Sequence, residues 1–430
     1  MRIDKLELTN FKNFRKLSAA FLPGVNLFVG SNGSGKTSVL EAINVAVGGF
    51  FGSQGSKAAR QIQMDEISLV GRLRQPSATV FAQSSIVPGS GWSRTLKANT
   101  KSNDLKGVAL IQAYGTLFFN KYFPDPEDRH VAPLIAYYST QRLFKDSNNS
   151  EKQKYDASSG RLNGYLLCLK ETAIKGILDE WLRNAVIRRA SKHANGIFEP
   201  DLILQNVEMA VKRTLVFALE VENEMDLAIY PDPDFDNEIF VRYDYDHDLP
   251  LGYYSDGFRN LVYLIIDMVW RASQLNPWLD LDGLAAQVTG VVTIDEIDLH
   301  LHPKWQMKAV QIIQELFPNV QFFITTHSPT IVSNMQKGTL YIIRNNEITQ
   351  HADDFFGKQV DNIMRTVIGA PDRNIGIQDK LNLLFRLIDQ NNVPEYTRIL
   401  NELTELLSND DPDIQKALSL IAMQDFQNEN

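Results

Sequence analysis

The sequence predicts an α/β fold with a parallel sheet at its core, a short helical insertion and a C-terminal helical segment. Near the start of the chain, a strand is followed at once by a glycine-rich loop and a helix. Further along, two almost entirely hydrophobic runs, 288–294 and 320–325, are separated by one helix. Such runs are typical of strands buried on both faces, and strand–helix–strand order is typical of parallel sheets.

Composition supports a globular protein. The 430 residues include 43 basic and 52 acidic side chains, a net charge of −9, and 44% are hydrophobic. These values exclude a disordered chain, and the acidity argues against a protein that coats nucleic acid by charge alone. The single cysteine, Cys168, cannot form an internal disulfide. With no signal-peptide pattern and no apolar run of membrane length, we expect a cytoplasmic protein without membrane contact.

The first half of the chain contains two predicted parts. Residues 1–155 start with strand patterns up to Val29 and continue with a helix from about Thr37. Short strands and turns are predicted from 52 to 133, followed by a strand over Leu134–Tyr138. Residues 156–216 form the helical insertion, which is too short for a long coiled coil.

The second half also contains two parts. Residues 217–368 return to strands and then carry a long apolar helix and the two hydrophobic runs. Residues 369–430 are helical in pattern, and we expect them to be an assembly or docking segment, with packing on the protein's own core as the alternative. The apolar stripes behind this expectation are Leu381, Leu384, Phe385 and Ile388, and Ile399, Leu403, Leu406 and Leu407.

A glycine-rich loop occupies residues 30–37 and reads Gly-Ser-Asn-Gly-Ser-Gly-Lys-Thr. Its spacing fits a phosphate-binding loop, and a buried strand before it and a helix after it are the context that this pattern requires. Lys36 adds positive charge toward the β- and γ-phosphates, and the Thr37 hydroxyl can bind Mg²⁺. We expect ATP to be bound by Gly30, Asn32, Gly33, Ser34, Gly35, Lys36, Thr37 and Ser38.

Polar side chains follow both hydrophobic runs. The first run ends in Asp295 and Glu296, an arrangement in which the first carboxylate holds Mg²⁺ and the second polarises the attacking water. The second run leads to His327, which would emerge beside Asp295 and reach a γ-phosphate. Taken alone, the acids fit a solvated turn and the histidine a surface position. Together with the loop, they predict Glu296 and His327 as catalytic residues.

A serine and a glycine, Ser255 and Gly257, lie just before the long apolar helix. The first N–H groups of a helix lack partners, so a free N-terminus with a serine hydroxyl is suited to bind phosphate. A plain N-cap is the alternative for Ser255.

The order of these four elements resembles the ABC-type ATPases of the SMC and RecF group. Residues 8–14, which read Leu-Thr-Asn-Phe-Lys-Asn-Phe, look like the first strand of that group. The resemblance implies a P-loop ABC-type ATPase head with a mixed or parallel sheet core. Residues 1–155 and 217–368 would be the two parts of this head.

The resemblance also implies site roles and cofactors. In this group the serine and glycine close on the ATP of a partner subunit. Ser255 and Gly257 would therefore act in trans, in a homodimer or a higher homo-oligomer. Thr37 and Asp295 would bind Mg²⁺ beside ATP. Gln141, which follows a strand, is similar to the family's Mg²⁺-contacting glutamine.

Finer details resemble a bacterial branch of the group, the Septu anti-phage ATPases and the retron-associated ATPases. These details are the histidine-bearing turn at 298–303, residues 355–361 and the helical C-terminal end. Two features differ from other branches. The insertion is short where SMC proteins carry long coiled coils, and Tyr-Ser-Asp-Gly at 254–257 replaces the transporter-type Leu-Ser-Gly-Gly. Both features argue against chromosome tethering and transport.

The resemblance implies an ATPase subunit of an anti-phage defence complex that controls a separate nuclease, which in the Septu family is of the HNH type. This sequence carries no nuclease motif, so nucleic acid would be met through the complex. Two alternatives stay open. One is a RecF-like or SMC-like DNA-repair ATPase, against which the lack of a strongly basic surface argues. The other is an ATP-sensing scaffold with little hydrolysis, against which the pair Asp295 and Glu296 argues.

Two further patterns carry weaker signals. His300 and His302 could begin a zinc site, but no cysteine or third histidine lies nearby in the sequence, so a zinc site is not favoured. A basic cluster lies on a predicted helix, where a solvated face is favoured over contact with DNA. The cluster comprises Arg183, Arg188, Arg189 and Lys192.

Overall fold

The computed structural model describes residues 1–54, 60–87, 91–99, 102–104, 106–125, 127–141, 157–170, 175–219, 227–235, 238–242, 248–351, 355–369 and 373–428. The chain divides into two compact units, Met1–Ile363 and Met364–Asn430. The first unit contains the sheets and the second contains the last three helices. Within the described residues, no helix combines the length and the hydropathy needed to cross a lipid bilayer.

The first unit is organised around strands. They are β1 (Lys5–Phe11), β2 (Phe14–Ala20), β3 (Val25–Val29), β4 (Leu69–Val70), β5 (Leu73–Arg74), β6 (Ser77–Gln83), β7 (Trp92–Lys97), β8 (Ser102–Asp104), β9 (Leu134–Tyr138), β10 (Ala228–Asp232), β11 (Glu238–Arg242), β12 (Asp248–Pro250), β13 (Gly290–Ile294), β14 (Val320–Thr325), β15 (Thr339–Arg344) and β16 (Glu347–His351). The largest sheet has the order β16-β15-β3-β14-β13-β9, and a second sheet has the order β2-β1-β6-β7-β8.

The central six-stranded sheet is parallel except at one edge. Strands β15, β3, β14, β13 and β9 run parallel to their neighbours, and β16 pairs antiparallel with β15 through a tight hairpin. Every residue of β3, β9, β13 and β14 is buried. The prediction of a parallel sheet from the hydrophobic runs is confirmed. All loops that follow the parallel strands therefore start at the same edge of the sheet.

Helices cover the sheets and complete the second unit. They are α1 (Lys36–Val47), α2 (Ala109–Leu117), α3 (Lys175–Ala194), α4 (Leu202–Leu219), α5 (Asp256–Leu275), α6 (Leu281–Gln287), α7 (Pro303–Leu316), α8 (Pro329–Asn334), α9 (Val360–Ile363), α10 (Ile375–Asp389), α11 (Val393–Leu407) and α12 (Pro412–Asn428).

Helix α1 lies between the two largest sheets. It contacts β13 and β14 of the central sheet, and β1, β6 and β7 of the second sheet. Its buried side chains Val39, Leu40 and Ile43 share one hydrophobic core with Phe28 and Phe323 from the central strands. This packing fixes the start of α1, and with it the glycine-rich loop, relative to the ends of β13 and β14.

Helix α2 corrects one expectation, because only short strands and turns were predicted between 52 and 133. The segment is short and contains Gly115, which lowers helix propensity. Its buried residues Ile111 and Gly115 lie against the turn at Gly48–Gln54 that follows α1. Tertiary packing therefore stabilises a helix that the local sequence does not specify.

The second unit has a hydrophobic core of its own, formed by α10, α11 and α12. Both predicted stripes contribute to it, although Leu406 remains 62% exposed. The buried members of this core are Leu381, Leu384, Ile388, Tyr396, Ile399, Leu403, Ile414 and Ala417. The three helices therefore bury part of both stripes against each other.

Candidate functional site

The glycine-rich loop connects the buried end of β3 to the first turn of α1. Gly35 takes a left-handed conformation, with φ of 106°. A Cβ atom there would lie 2.5 Å from the ring of Phe14, so only glycine fits this position without displacing the ring. The Ser34 N–H donates to the Ser31 carbonyl at 3.2 Å. The loop is thus folded tightly against the turn between β1 and β2.

Lys36 is a buried cation in the first turn of α1. Its ammonium donates to the carbonyls of Gly30 at 2.9 Å and Ser31 at 3.1 Å. Burial lowers the pKa of Lys36, and the nearby carboxylates of Glu296 and Asp295 act in the opposite direction. The loop therefore surrounds a positive charge that carbonyl dipoles and nearby carboxylates stabilise.

Thr37 and Asp295 meet across the edge of the central sheet. The Thr37 hydroxyl donates to Asp295 Oδ2 at 2.9 Å, and the Thr325 hydroxyl donates to Oδ1 at 2.6 Å. Asp295 is only 3% exposed. Hydroxyl and carboxylate oxygens are the hard ligands that Mg²⁺ binds. Among the described residues, no group of three or more His, Cys, Asp or Glu could hold a metal by itself. An ion at Thr37 and Asp295 would need further ligands, for which phosphate oxygens, water and the predicted Gln141 are the candidates.

Glu296 and His327 follow neighbouring parallel strands, β13 and β14. His327 Nε2 lies 3.9 Å from Glu296 Oε1, and both side chains are about one-third exposed. The Glu296 N–H donates to Thr325 Oγ1 at 2.8 Å, which fixes the residue in a left-handed conformation with φ of 47°. A non-glycine residue held in this region stores strain of a kind that clusters at functional sites.

An open cleft of about 460 Å³ lies over these groups. This volume is within the range of small-molecule binding sites. Most of the predicted nucleotide contacts line it, together with both predicted catalytic residues. The lining residues are Lys12, Asn13, Asn32, Gly33, Gly35, Lys36, Thr37, Ser38, Glu296 and His327.

Lys12 and Asn13 are the two lining residues that were not predicted as site residues. Both belong to the turn between β1 and β2, which the sequence marked only as part of a family-like first strand. Asn13 Nδ2 donates to the Ser34 carbonyl at 3.4 Å and to Asn346 Oδ1 at 3.3 Å. Lys12 and Asn13 come close to the glycine-rich loop only in the folded chain, so their positions along the chain carry no signal for this wall.

Gln141 lies at the predicted edge of the sheet but outside the cleft lining. It follows β9, which pairs with β13, and the Asp295 N–H donates to the Tyr138 carbonyl at 2.8 Å. The Gln141 side chain is exposed. Its predicted contact with Mg²⁺ stays a prediction.

Ser255 and Gly257 lie at the start of α5, and neither lines the chain's own cleft. The Ser255 hydroxyl accepts a hydrogen bond from the Phe258 N–H at 3.3 Å, as an N-cap does. A Cβ atom on Gly257 would lie 2.1 Å from the His300 carbonyl, so this glycine allows α5 to start directly against the loop that follows Glu296. The structure thus does not bring these two residues together with the phosphate-binding loop of the same chain.

The weaker sequence patterns have structural partners. His302 caps α7, because its Nδ1 accepts from the Lys304 N–H at 3.3 Å. In the basic cluster on α3, Arg189 forms two hydrogen bonds with Glu208, at 2.8 and 2.9 Å, and Lys192 lies 3.1 Å from Glu199. Pairing with carboxylates reduces the charge that this helix can offer to DNA.

The sequence is similar to those of known proteins. The sequence profile of one family, described as AAA domain, putative AbiEii toxin, Type IV TA system, matches residues 25–333. The retron Vc95 probable ATPase of Vibrio cholerae serotype O1 biovar El Tor is 25% identical over 80% of this chain and 73% of its own length. The Septu protein PtuA of Bacillus thuringiensis is 23% identical over 94% of this chain and 89% of its own length.

A repair protein is also similar. The DNA replication and repair protein RecF of Streptococcus uberis is 25% identical over 76% of this chain and 93% of its own length. The family match begins in β3 and ends in α8, so it includes the phosphate-binding loop, the paired carboxylates and His327. The chain therefore belongs to the AAA-domain family described as putative AbiEii toxin, Type IV TA system, and it is an ATPase.

Proposed function

We propose that the cleft binds ATP together with Mg²⁺ and hydrolyses the terminal phosphate. The observation that carries this proposal is the hydrogen bond from the Thr37 hydroxyl to Asp295, with Glu296 and His327 on the wall of the same cleft. Thr37 and Asp295 would hold a divalent ion beside the phosphate-binding loop, where its charge would offset that of the phosphates.

Each group has a separate task in this proposal. Loop N–H groups and Lys36 hold the phosphates, and a bound Mg²⁺ supplies further positive charge there. Glu296 orients a water molecule for in-line attack on the γ-phosphorus and accepts its proton. The bond from the water oxygen to phosphorus forms while the bond to the β–γ bridging oxygen breaks, which leaves ADP and phosphate. His327 donates a hydrogen bond to the γ-phosphate.

We infer that a second copy of the chain completes each site. Ser255 and Gly257 do not line the cleft of their own chain, which supports a role in trans for the start of α5. In a homodimer of this kind, or in a higher homo-oligomer, each cleft would receive one helix N-terminus from its neighbour. ATP would then hold the two copies together.

Ser255→Arg tests action in trans, because a bulky cation replaces the small hydroxyl at the start of α5. The variant is expected to bind ATP but to lose ATPase activity. Mixed with Lys36→Ala protein, it should recover part of the activity, since a mixed dimer contains one intact composite site out of two. Steady-state phosphate release measures the recovery. No recovery in dimers shown to be mixed, by tags on each variant, would contradict the proposal.

The same proposal extends to antiviral defence. Similarity to Septu PtuA over 94% of the chain and to a retron ATPase supports an ATPase subunit of an anti-phage complex. Such a subunit would control a separate nuclease, of the HNH type as the Septu resemblance implies, and nucleic acid would be contacted through that complex. Phage challenge of cells that carry the native operon tests this. Plaque formation should be lower on cells with the wild-type operon than on cells without it. With the Lys36→Ala operon, it should return to the level of cells without the operon.

A RecF-like repair ATPase is the second candidate, favoured by the similarity to RecF over 76% of the chain. The two candidates differ in DNA binding. A repair ATPase should bind gapped duplex DNA without a partner, as measured by fluorescence anisotropy at about 150 mM salt, where nonspecific contacts are screened. Binding by the isolated chain, without phage protection by its operon, would favour repair.

Truncation after Gly369 tests the C-terminal helices as an assembly segment. Because α10, α11 and α12 have their own core, their removal should leave the first unit folded and able to bind ATP. We expect loss of the oligomer by light scattering, or loss of the partner that co-purifies from the native operon. Insoluble protein would indicate that the segment belongs to the main core. An unchanged oligomer that still binds its partner would indicate that the segment makes no contact essential for assembly.

A further inference from the structure

Lys12, on the wall of the cleft, has a constrained backbone. Its φ of 49° lies in the left-handed region, which L-residues rarely adopt. The Lys12 N–H donates to the Glu66 carbonyl at 2.6 Å, and the Lys12 carbonyl accepts from the Ser68 hydroxyl at 2.5 Å. A strained residue held at both backbone groups is a feature of functional sites. The fold therefore holds the Lys12 backbone, and with it the base of the side chain, in a fixed position at the cleft wall.

The Lys12 ammonium belongs to a cluster of four charges, which also contains Glu41, Arg60 and Glu66. Lys12 forms an ion pair with Glu41 and lies 3.7 Å from Glu66 Oε1. Arg60 contacts Glu66 through two hydrogen bonds, at 2.6 and 3.1 Å. The Glu41 and Glu66 side chains are only 8% and 3% exposed, whereas that of Lys12 is 28% exposed. Lys12 is therefore the most accessible member of the cluster.

Glu41 has a second cation within reach. Arg60 Nη2 lies 3.9 Å from Glu41 Oε1 while it also contacts Glu66. A buried carboxylate that loses its only cation is strongly destabilised. Burial already raises the pKa of Glu41, and the hydrogen bond and charge of Lys12 lower it. With Arg60 beside it, Glu41 would keep a cationic partner if Lys12 turned toward the cleft.

We propose that Glu41 is a positioning residue that holds Lys12 at the cleft wall and competes with the phosphates of the nucleotide for its ammonium, so that Glu41 sets the affinity for ATP. Arg60 takes over Glu41 when Lys12 binds phosphate. This inference rests on the proposed function of the cleft as the ATP site. Glu41, which lies on α1 one turn beyond the phosphate-binding loop, would thus set the affinity of the cleft for ATP.

Glu41→Gln tests the competition, because the amide keeps the shape of the side chain and removes its charge. KM for ATP and the dissociation constant of inorganic tripolyphosphate should both fall, by about three- to tenfold, with kcat within about twofold of wild type. A residue that only supports the fold would leave these values unchanged or raise them. Unchanged or raised values in folded Glu41→Gln protein would therefore overturn the proposal.

A double-mutant cycle tests whether the effect passes through Lys12. In a Lys12→Met background, adding Glu41→Gln should change KM by less than about twofold, because the competing ammonium is gone. The same tightening in that background would instead indicate a general charge effect and would overturn the proposal. Glu7→Gln, which removes an exposed charge paired with Lys5 on β1, is the matched control and should leave KM unchanged.

A conservative variant keeps the test open if Glu41→Gln fails to fold. Glu41→Asp retains the charge but withdraws it from Lys12 by one methylene, so KM should fall by a smaller factor. A rise or no change would overturn the proposal. Lys36→Ala separates the two levels of inference. If Lys36→Ala abolishes ATP binding while the Glu41 variants behave as wild type, the assignment of the cleft as the ATP site is supported and the proposed role of Glu41 is overturned.

Discussion

Replacing Glu296 by glutamine is expected to lower kcat for ATP hydrolysis by about 10²- to 10⁴-fold and to leave ATP binding intact. The amide preserves the shape of the side chain and its place beside His327, but it cannot accept a proton from the attacking water. The variant should accumulate as an ATP-bound dimer if a second copy completes the site. Steady-state phosphate release and size-exclusion chromatography with ATP measure these two effects.

The control for this substitution is Glu315→Gln, an exposed acid on α7 away from the cleft, which should retain full activity. Phosphate release by Glu296→Gln within about threefold of wild type would show that another group performs the task of the catalytic carboxylate. Wild-type protein that binds ATP without measurable turnover would favour the scaffold alternative.

Lys36→Ala is expected to weaken ATP binding by at least about a hundredfold, because the phosphates lose a buried cation that bonds of the loop backbone cannot replace. The change also removes the hydrogen bonds that Lys36 donates to the carbonyls of Gly30 and Ser31, so the loop itself loses support. Calorimetric titration with ATP and Mg²⁺ measures the affinity.

Lys304→Ala, at an exposed position in the first turn of α7, is the matched control and should bind ATP as wild type does. Circular dichroism of both variants checks that the fold is retained. Unchanged ATP affinity in a folded Lys36→Ala protein would remove the basis for assigning the loop as the phosphate-binding site.

The sequence predicts the parts of the site that depend on local order. Strand β3, the glycine-rich loop and α1 follow one another within 23 residues of chain. The largely hydrophobic runs at 288–294 and 320–325 indicate β13 and β14. Parallel strands place their following loops at one edge, so Asp295, Glu296 and His327 could be expected to meet. Their chemical roles remain predictions.

The parts that the sequence does not predict depend on tertiary contacts. Lys12 becomes a wall of the cleft only because β1 packs against α1, where Glu41 contacts the Lys12 ammonium. Nothing in the spacing of Lys12, Glu41, Arg60 and Glu66 distinguishes them from ordinary surface charges. Helix α2 was missed for a related reason, since its stability comes from packing and not from propensity.

The close approach of Gly257 to the His300 carbonyl has a consequence for communication between subunits. The start of α5 and the loop behind Glu296 touch without a side chain between them, and Asn260 Nδ2 donates to the Leu299 carbonyl at 3.1 Å. Two surfaces in such contact cannot shift independently. If α5 contacts the nucleotide of a neighbouring subunit, any movement of the catalytic loop on γ-phosphate cleavage would also move the start of α5. It would therefore change the affinity of the neighbouring site for its nucleotide. By thermodynamic linkage such coupling is reciprocal for binding, so nucleotide at either site would change the affinity of the other by the same factor.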